Sequence, residues 1–253
     1  MLLENGADVT AQGGLHGNAL CATCDKGHGK IVQMLLDNGA DVNAQDGIHG
    51  NALQVAYSRG YDKIVQMLLE NGADVTAQGG LHGNALCATC DKGHGKIVQM
   101  LLDNGADVNA QDGLHGNALY VACSRGYNKI VQMLLENGAD VTAQGSIHGN
   151  ALCAACDKGH GKIVQMLLEN GADVTAQDGL HGNALQAACD KGHGNIVQML
   201  LEKGADVTAQ DGYYGNALQV ACSGGHDKIV QMLLKRQPDQ SIPLPYPKRL
   251  KLL

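Results

Sequence analysis

The sequence predicts an all-α fold, a solenoid of stacked helix–turn–helix units joined by hairpin loops. All eight methionines fall at intervals of 33 residues, from Met1 to Met232. The sequences "IVQMLL", "GADV" and "GNAL" recur in the same register. Between them, apolar residues recur at the spacing of an amphipathic helix. An internal period of this length is typical of arrays in which each unit packs only against its neighbours.

Each unit begins with a loop and a short first helix, as residues 39–71 illustrate. The loop "GADVNAQDGIHGNA" is rich in glycine and contains the turn signal Asp46-Gly47. Asn51 stands where a helix needs an N-cap, because its side-chain oxygen can accept a hydrogen bond from a free backbone N–H group. The segment "ALQVAYSR" is then predicted to be the first helix, and Gly60 is predicted to end it.

The second helix of the unit is predicted from the segment "DKIVQMLLEN". Ile64 and Leu68 lie four residues apart, as do Val65 and Leu69, so they share one face. Gly72 follows as a helix-ending residue in the left-handed conformation. Burial of these few side chains falls short of the conformational entropy that one unit loses on folding, so the units are expected to stack.

The segment "GNALQVAYSRGYDKIVQMLLENGADVTAQ" resembles the ankyrin repeat. The matching features are the short first helix, Gly followed by His or Tyr, "IVxxLL" and "GADV". The resemblance covers residues 1–236, as half a helix pair (1–5) and seven units of 33 residues, and leaves a Pro-rich basic tail at 237–253. It implies an ankyrin-repeat solenoid whose loop tips and first helices line a concave groove that binds a protein or peptide. The Thr-Pro-Leu-His start of the family's helix is replaced here by Asn-Ala-Leu.

Two sets of candidate partner-binding residues follow from this resemblance. The loop-tip set either contacts a partner or braces the loops, and it comprises Leu15, His16, Ile48, His49, Leu81, His82, Leu114, His115, Ile147, His148, Leu180, His181, Tyr213 and Tyr214. The helix-end set either faces a partner or varies freely in solvent, and it comprises Asp25, Lys26, Ser58, Arg59, Asp91, Lys92, Ser124, Arg125, Asp157, Lys158, Asp190 and Lys191.

Cysteine and histidine also recur at fixed positions. CxxC pairs occur at Cys21/Cys24, Cys87/Cys90 and Cys153/Cys156, where other units place Gln, Tyr or a single Cys. This exchange favours a packing role over a zinc or redox site, since Cys behaves as a small apolar residue inside a helix. The turn between the helices carries His28, His94, His160, His193 and His226, with Tyr61 and Tyr127 as alternates. Because tyrosine shares the shape of histidine but not its pKa, a structural hydrogen-bonding role is predicted.

Charge and motif content exclude several classes of function. Residues 1–234 carry 13 basic and 24 acidic residues, a net charge of 13 − 24 = −11, which argues against nucleic-acid binding. The sequence contains no long apolar run, signal peptide, nucleophile–base pair or phosphate-binding glycine motif, so no membrane span, cofactor or enzymatic activity is predicted. Nine cysteines in an unsecreted chain indicate reduced thiols and a cytoplasmic location. The "KRLK" sequence near the end resembles a nuclear import signal, and the oligomeric state is left open.

The predicted function is a non-enzymatic scaffold that binds a protein or peptide in its groove. Two alternatives remain open at this point. The "GNALQ" variant resembles fungal-type arrays that are often attached to nucleotide-binding signalling domains, so the chain could be the sensor or regulatory part of a larger protein. Its start, "MLLEN", is half of a second helix, and we therefore expect the chain to be a fragment. The CxxC pairs would otherwise make it metal- or redox-responsive.

Overall fold

The computed structural model describes residues 8–13, 17–45, 50–77, 84–112, 116–146, 149–177, 182–210 and 215–236. In this part of the chain, fourteen helices form seven consecutive pairs. The first helices of the pairs are α1 (Ala19–Lys26), α3 (Ala52–Arg59), α5 (Ala85–Lys92), α7 (Ala118–Arg125), α9 (Ala151–Lys158), α11 (Ala184–Asp190) and α13 (Ala217–Ser223). The second helices are α2 (Gly29–Asp37), α4 (Asp62–Glu70), α6 (Gly95–Asp103), α8 (Asn128–Glu136), α10 (Gly161–Glu169), α12 (Gly194–Glu202) and α14 (Asp227–Arg236).

Local capping fixes the bounds of the first helices. The Asn51 side chain accepts from the backbone N–H of Gln54 at 2.9 Å, and the Gln54 side chain accepts from the N–H of Asn51 at 2.8 Å. This capping box satisfies two donors that the helix itself leaves free. Gly60 ends α3 with φ at 76°, a left-handed conformation that suits glycine. The predicted helix "ALQVAYSR" is confirmed at both ends.

The second helix of the same unit ends one residue earlier than predicted. The α4 helix stops at Glu70, because Asn71 leaves the helical conformation with φ at −95° and ψ at 15°. Gly72 follows with φ at 81°, as predicted. Ile64, Val65 and Leu68 are buried, so the apolar face read from the sequence is the face that packs.

Neighbouring pairs stack in one continuous row. Each first helix packs on the next first helix from α1 to α13, and each second helix packs on the next from α2 to α14. The valine at the fourth position of the second helices is fully buried in the first six pairs, at Val32, Val65, Val98, Val131, Val164 and Val197. The predicted stack of helical hairpins is therefore confirmed, and its core is built from aliphatic side chains and cysteine.

Short hairpins join the pairs and place the first helices. Strand β1 (Gln111–Asp112) pairs antiparallel with β2 (Gly116–Asn117), and β3 (Gln144–Ser146) pairs with β4 (Gly149–Asn150). The Asn that closes each hairpin is also the N-cap of the following first helix. Adjacent hairpins pack closely, since a Cβ added at Gly116 would clash with the carbonyl group of Gly145. Among the described helices, none has the length and apolar character needed to cross a bilayer.

Candidate functional site

Of the two predicted sets of partner-binding residues, the structure describes only the helix-end set. The loop-tip set lies outside the described residues, at Leu15, His16, Ile48, His49, Leu81, His82, Leu114, His115, Ile147, His148, Leu180, His181, Tyr213 and Tyr214. The helix-end set lies within them. Because the first helices stack in register, the helix-end set forms one line along the array, which we name the first-helix ridge. It comprises Asp25, Lys26, Ser58, Arg59, Asp91, Lys92, Ser124, Arg125, Asp157, Lys158, Asp190 and Lys191.

Ion pairs connect adjacent units along the first-helix ridge. Arg59 Nε donates to Asp25 Oδ1 at 2.9 Å, and Arg125 Nε donates to Asp91 Oδ1 at 2.8 Å. Asp25 also pairs with Lys26 at 3.0 Å. The hydrogen bond from Lys26, followed by those from Arg59, holds the pKa of Asp25 below its ordinary value. The ridge is therefore a strip of ion pairs, some of which join one unit to the next.

A cavity of about 330 Å³ lies beside the ridge, between α7, α9 and α11. Its lining includes three ridge residues, Ser124, Asp157 and Lys158, and four others, Tyr120, Cys153, Ala154 and Ala187. These four were not predicted as site residues. The sequence nevertheless carries a signal for this place, because the Ala/Val alternation at the fourth residue of the first helices is interrupted at Ala187, directly after Ala154.

A larger cleft of about 860 Å³ lies at the inter-helix turns of the last three units. Five glycines and the rings of His193 and His226 line it, together with Asn195, Ile196, Asp227, Lys228, Ile229 and Met232. Each ring lies close to a glycine of the preceding unit, since a Cβ added at Gly159 would come within 2.6 Å of the His193 ring. The cleft therefore follows from how the turns pack, and its charged lining residues, Asp227 and Lys228, both belong to the last unit.

The predicted hydrogen-bonding role of the turn histidines is confirmed for His193 and His226. His193 Nε2 lies 3.3 Å from the carbonyl oxygen of Asp157, and His226 Nε2 lies 3.0 Å from that of Asp190. The tautomer that is protonated at Nε2 donates in both cases. Each ring thus joins its own unit to the preceding one.

The cysteines pack inside the array, as predicted, except for Cys222, which is exposed. Burial raises the pKa of Cys24 and of Cys189 to about 12. The neutral thiol is therefore favoured over the thiolate that zinc binding and redox chemistry require. Cys87 Sγ lies 3.8 Å from the carbonyl oxygen of Gly116, to which it donates a weak hydrogen bond. Within the described residues, no three His, Cys, Asp or Glu side chains are grouped where they could hold one metal ion.

Comparisons with known proteins agree with this geometry. The family model described as "Ankyrin repeats (3 copies)" matches residues 1–79, 80–145 and 152–243. Among solved structures, the chain is similar to the crystal structure of the human ASB11 ankyrin repeat domain, with 25% sequence identity and a TM-score of 0.77. The similarity covers 88% of this chain and 100% of that one. The comparison with curated proteins found no significant match.

Proposed function

The chain belongs to the ankyrin-repeat family, whose members are generally protein-interaction modules, and on that premise we propose that it is a non-enzymatic scaffold that binds a protein or peptide along the first-helix ridge. The observation that carries the proposal is the cavity of about 330 Å³ beside the ridge. Concave sites that combine apolar walls with a few charged groups are the usual places where ligands bind. The interruption of the Ala/Val alternation at this cavity further supports a specialised surface.

Among the described residues, the opposite surface exposes large apolar side chains only in α2 and α14, at Ile31, Met34 and Leu234, so its middle part offers fewer binding groups to a partner. On the second helices, Gln66 Nε2 donates to Glu70 Oε1 at 2.9 Å, and Gln132 Nε2 donates to Glu136 Oε1 at 2.9 Å. The same pairing four residues apart recurs in other units. Such local pairs satisfy polar groups within one helix. The proposal therefore assigns binding to the first-helix ridge rather than to this surface.

Selection from a phage-displayed library of random twelve-residue peptides tests the proposal. In a ridge variant, Arg59, Lys92, Arg125 and Lys158 are changed to Ala. In a matched variant of the opposite surface, Gln66, Gln99, Gln132 and Gln165 are changed to Ala. Selected peptides should lose most of their affinity for the ridge variant and keep it for the matched variant. Equal affinity for both variants, with circular dichroism showing both folded, would contradict the proposal.

A further inference from the structure

The cavity beside the ridge coincides with a break in an internal pattern. The fourth residue of the first helices alternates between Ala and Val in the first five units, and the sixth unit then carries Ala where the alternation calls for Val. The residues are Ala22, Val55, Ala88, Val121, Ala154, Ala187 and Val220. Ala154 and Ala187 are buried next to each other on α9 and α11. Because Ala187 lacks the two methyl groups of the valine that strict alternation would have placed there, it leaves a concave floor beside Ala154.

Tyr120 forms the wall of this cavity. All six other first helices carry Cys or Gln at this position. The half-buried ring lies against the backbone of β3, since a Cβ added at Gly145 would come within 2.2 Å of Tyr120 Cδ2. The glycine therefore permits the ring to take this place. An aromatic side chain held beside a small apolar floor is typical of the residues that dominate binding energy at interfaces.

The rim of the cavity presents cations outward. The side chain of Lys158 is 54% exposed, whereas that of its partner Asp157 is 20% exposed. Arg125 is 55% exposed above Asp91, which is 28% exposed. Six cations and four aspartates give the first-helix ridge a net charge of 6 − 4 = +2, although the chain carries −7. Along the first five units a partner that approaches the ridge thus meets positive charge first, whereas in the sixth unit Asp190 is as exposed as Lys191.

We propose that the cavity between α7, α9 and α11 is an anchor site for an acidic peptide segment that carries one large apolar side chain. The apolar side chain enters the space between Tyr120, Ala154 and Ala187. Carboxylates that flank it pair with Lys158 and Lys191 on the rim, and this complementarity sets the specificity and the orientation of the partner. The inference rests on the proposed function and names the chemistry of its partner.

The peptides selected from the library of random twelve-residue sequences provide the probe. They should be enriched in Asp and Glu around one Phe, Leu or Trp. The change Ala187→Val fills the cavity and should weaken their binding by about tenfold or more, as measured by fluorescence polarisation of the labelled peptides. The matched control, Ala22→Val, adds the same volume at the same helical position of the first unit and should leave the affinity unchanged.

A second variant keeps the test independent of packing effects. Lys158→Gln with Lys191→Gln alters two largely exposed side chains and should weaken binding and reduce its dependence on salt. Peptides that need the ridge but tolerate both Ala187→Val and the double variant would leave the proposed function standing and overturn this inference. Equal losses with Ala187→Val and Ala22→Val, or selection of basic or wholly polar peptides, would also overturn it.

Discussion

The side-chain amide of Gln186 donates a hydrogen bond of 2.6 Å to the carbonyl oxygen of Gly215 in the next unit. Cys87 occupies the same helical position three units earlier, and its thiol lies 3.8 Å from the carbonyl oxygen of Gly116. The two donors thus make the same connection between a first helix and the following hairpin. The first cysteine of a CxxC pair therefore has a structural reason to exchange with glutamine.

The bond from Gln186 should contribute measurably to stability. Changing Gln186 to Ala leaves the half-buried carbonyl oxygen of Gly215 without its donor and should lower the free energy of unfolding by about 1–3 kcal/mol. Gln219→Ala is the matched control, because Gln219 makes the same capping box with Asn216 but is exposed. Urea unfolding followed by circular dichroism measures both changes. Equal losses in the two variants would show that the capping box alone is responsible.

The buried thiols should make the array sensitive to alkali. Burial raises the pKa of Cys189 from its ordinary value of 9.0 to about 12. Between these values the unfolded chain releases the proton and the folded chain keeps it, so the unfolded state gains stability as pH rises. The contribution of the thiol is fully present below pH 9 and is lost progressively up to about pH 12.

Urea unfolding at several alkaline pH values measures this effect. In Cys189→Ala, the fall of the unfolding free energy with pH should be less steep by roughly 1.4 kcal/mol per pH unit. Cys222→Ala is the control, because Cys222 is exposed. A reducing agent prevents disulfide formation. Identical slopes for the parent chain and Cys189→Ala would contradict the burial of this thiol.

The stacking of rings on glycines predicts a difference between two similar substitutions. Gly126 and Gly138 both have left-handed backbones, with φ at 80° and 82°. A Cβ at Gly126 would lie 2.5 Å from His160 Cε1, whereas one at Gly138 would meet nothing within 4 Å. Gly138→Ala should therefore cost about 1–2 kcal/mol for the backbone alone, and Gly126→Ala should cost more.

Thermal unfolding of the two glycine variants compares them directly. Adding His160→Ala to Gly126→Ala removes the ring and should recover the part of the loss that is due to crowding. If Gly126→Ala and Gly138→Ala lowered the melting temperature equally, the ring would not rest on the glycine in solution.

The aspartates in the Asp–Thr turns of the loops should show lowered pKa values. The Thr142 hydroxyl, followed by its backbone N–H, holds the pKa of Asp140 below its ordinary value of 3.8. This stabilisation is present above pH 3.8 and is lost as the pH falls through the lower, folded-state pKa. In Thr142→Ala, the pKa of Asp140 should rise towards 3.8, and in Thr142→Ser it should stay low. NMR titration of the carboxyl carbon measures it, and an unchanged pKa in Thr142→Ala would contradict the turn.

Much of the fold could be predicted from the sequence, because its determinants are local. Asn51 caps a helix and Gly60 ends one through their own backbone and side-chain geometry, so their places could be read one unit at a time. The second helix was predicted one residue too long, at Asn71, because an Asn-Gly step does not reveal which residue first leaves the helix.

Contacts between units could not be predicted in the same way. Asn43 donates to the carbonyl oxygen of Gly72 at 3.1 Å and accepts from the N–H of Asp74 at 2.8 Å. These bonds depend on where the next unit lies, which no single repeat specifies. The cavity beside Tyr120 depends on three successive units in the same way. The sequence thus indicated the ridge, whereas the concave place along it required the stacked structure.

Hydrogen exchange of the chain, with and without a peptide selected from the random library, tests the central claim most directly. We expect slower exchange on binding in the first helices, above all in α7, α9 and α11, and unchanged exchange in α8, α10 and α12. Slower exchange confined to the second helices would show that the partner binds the opposite surface, and would contradict the assignment of binding to the first-helix ridge.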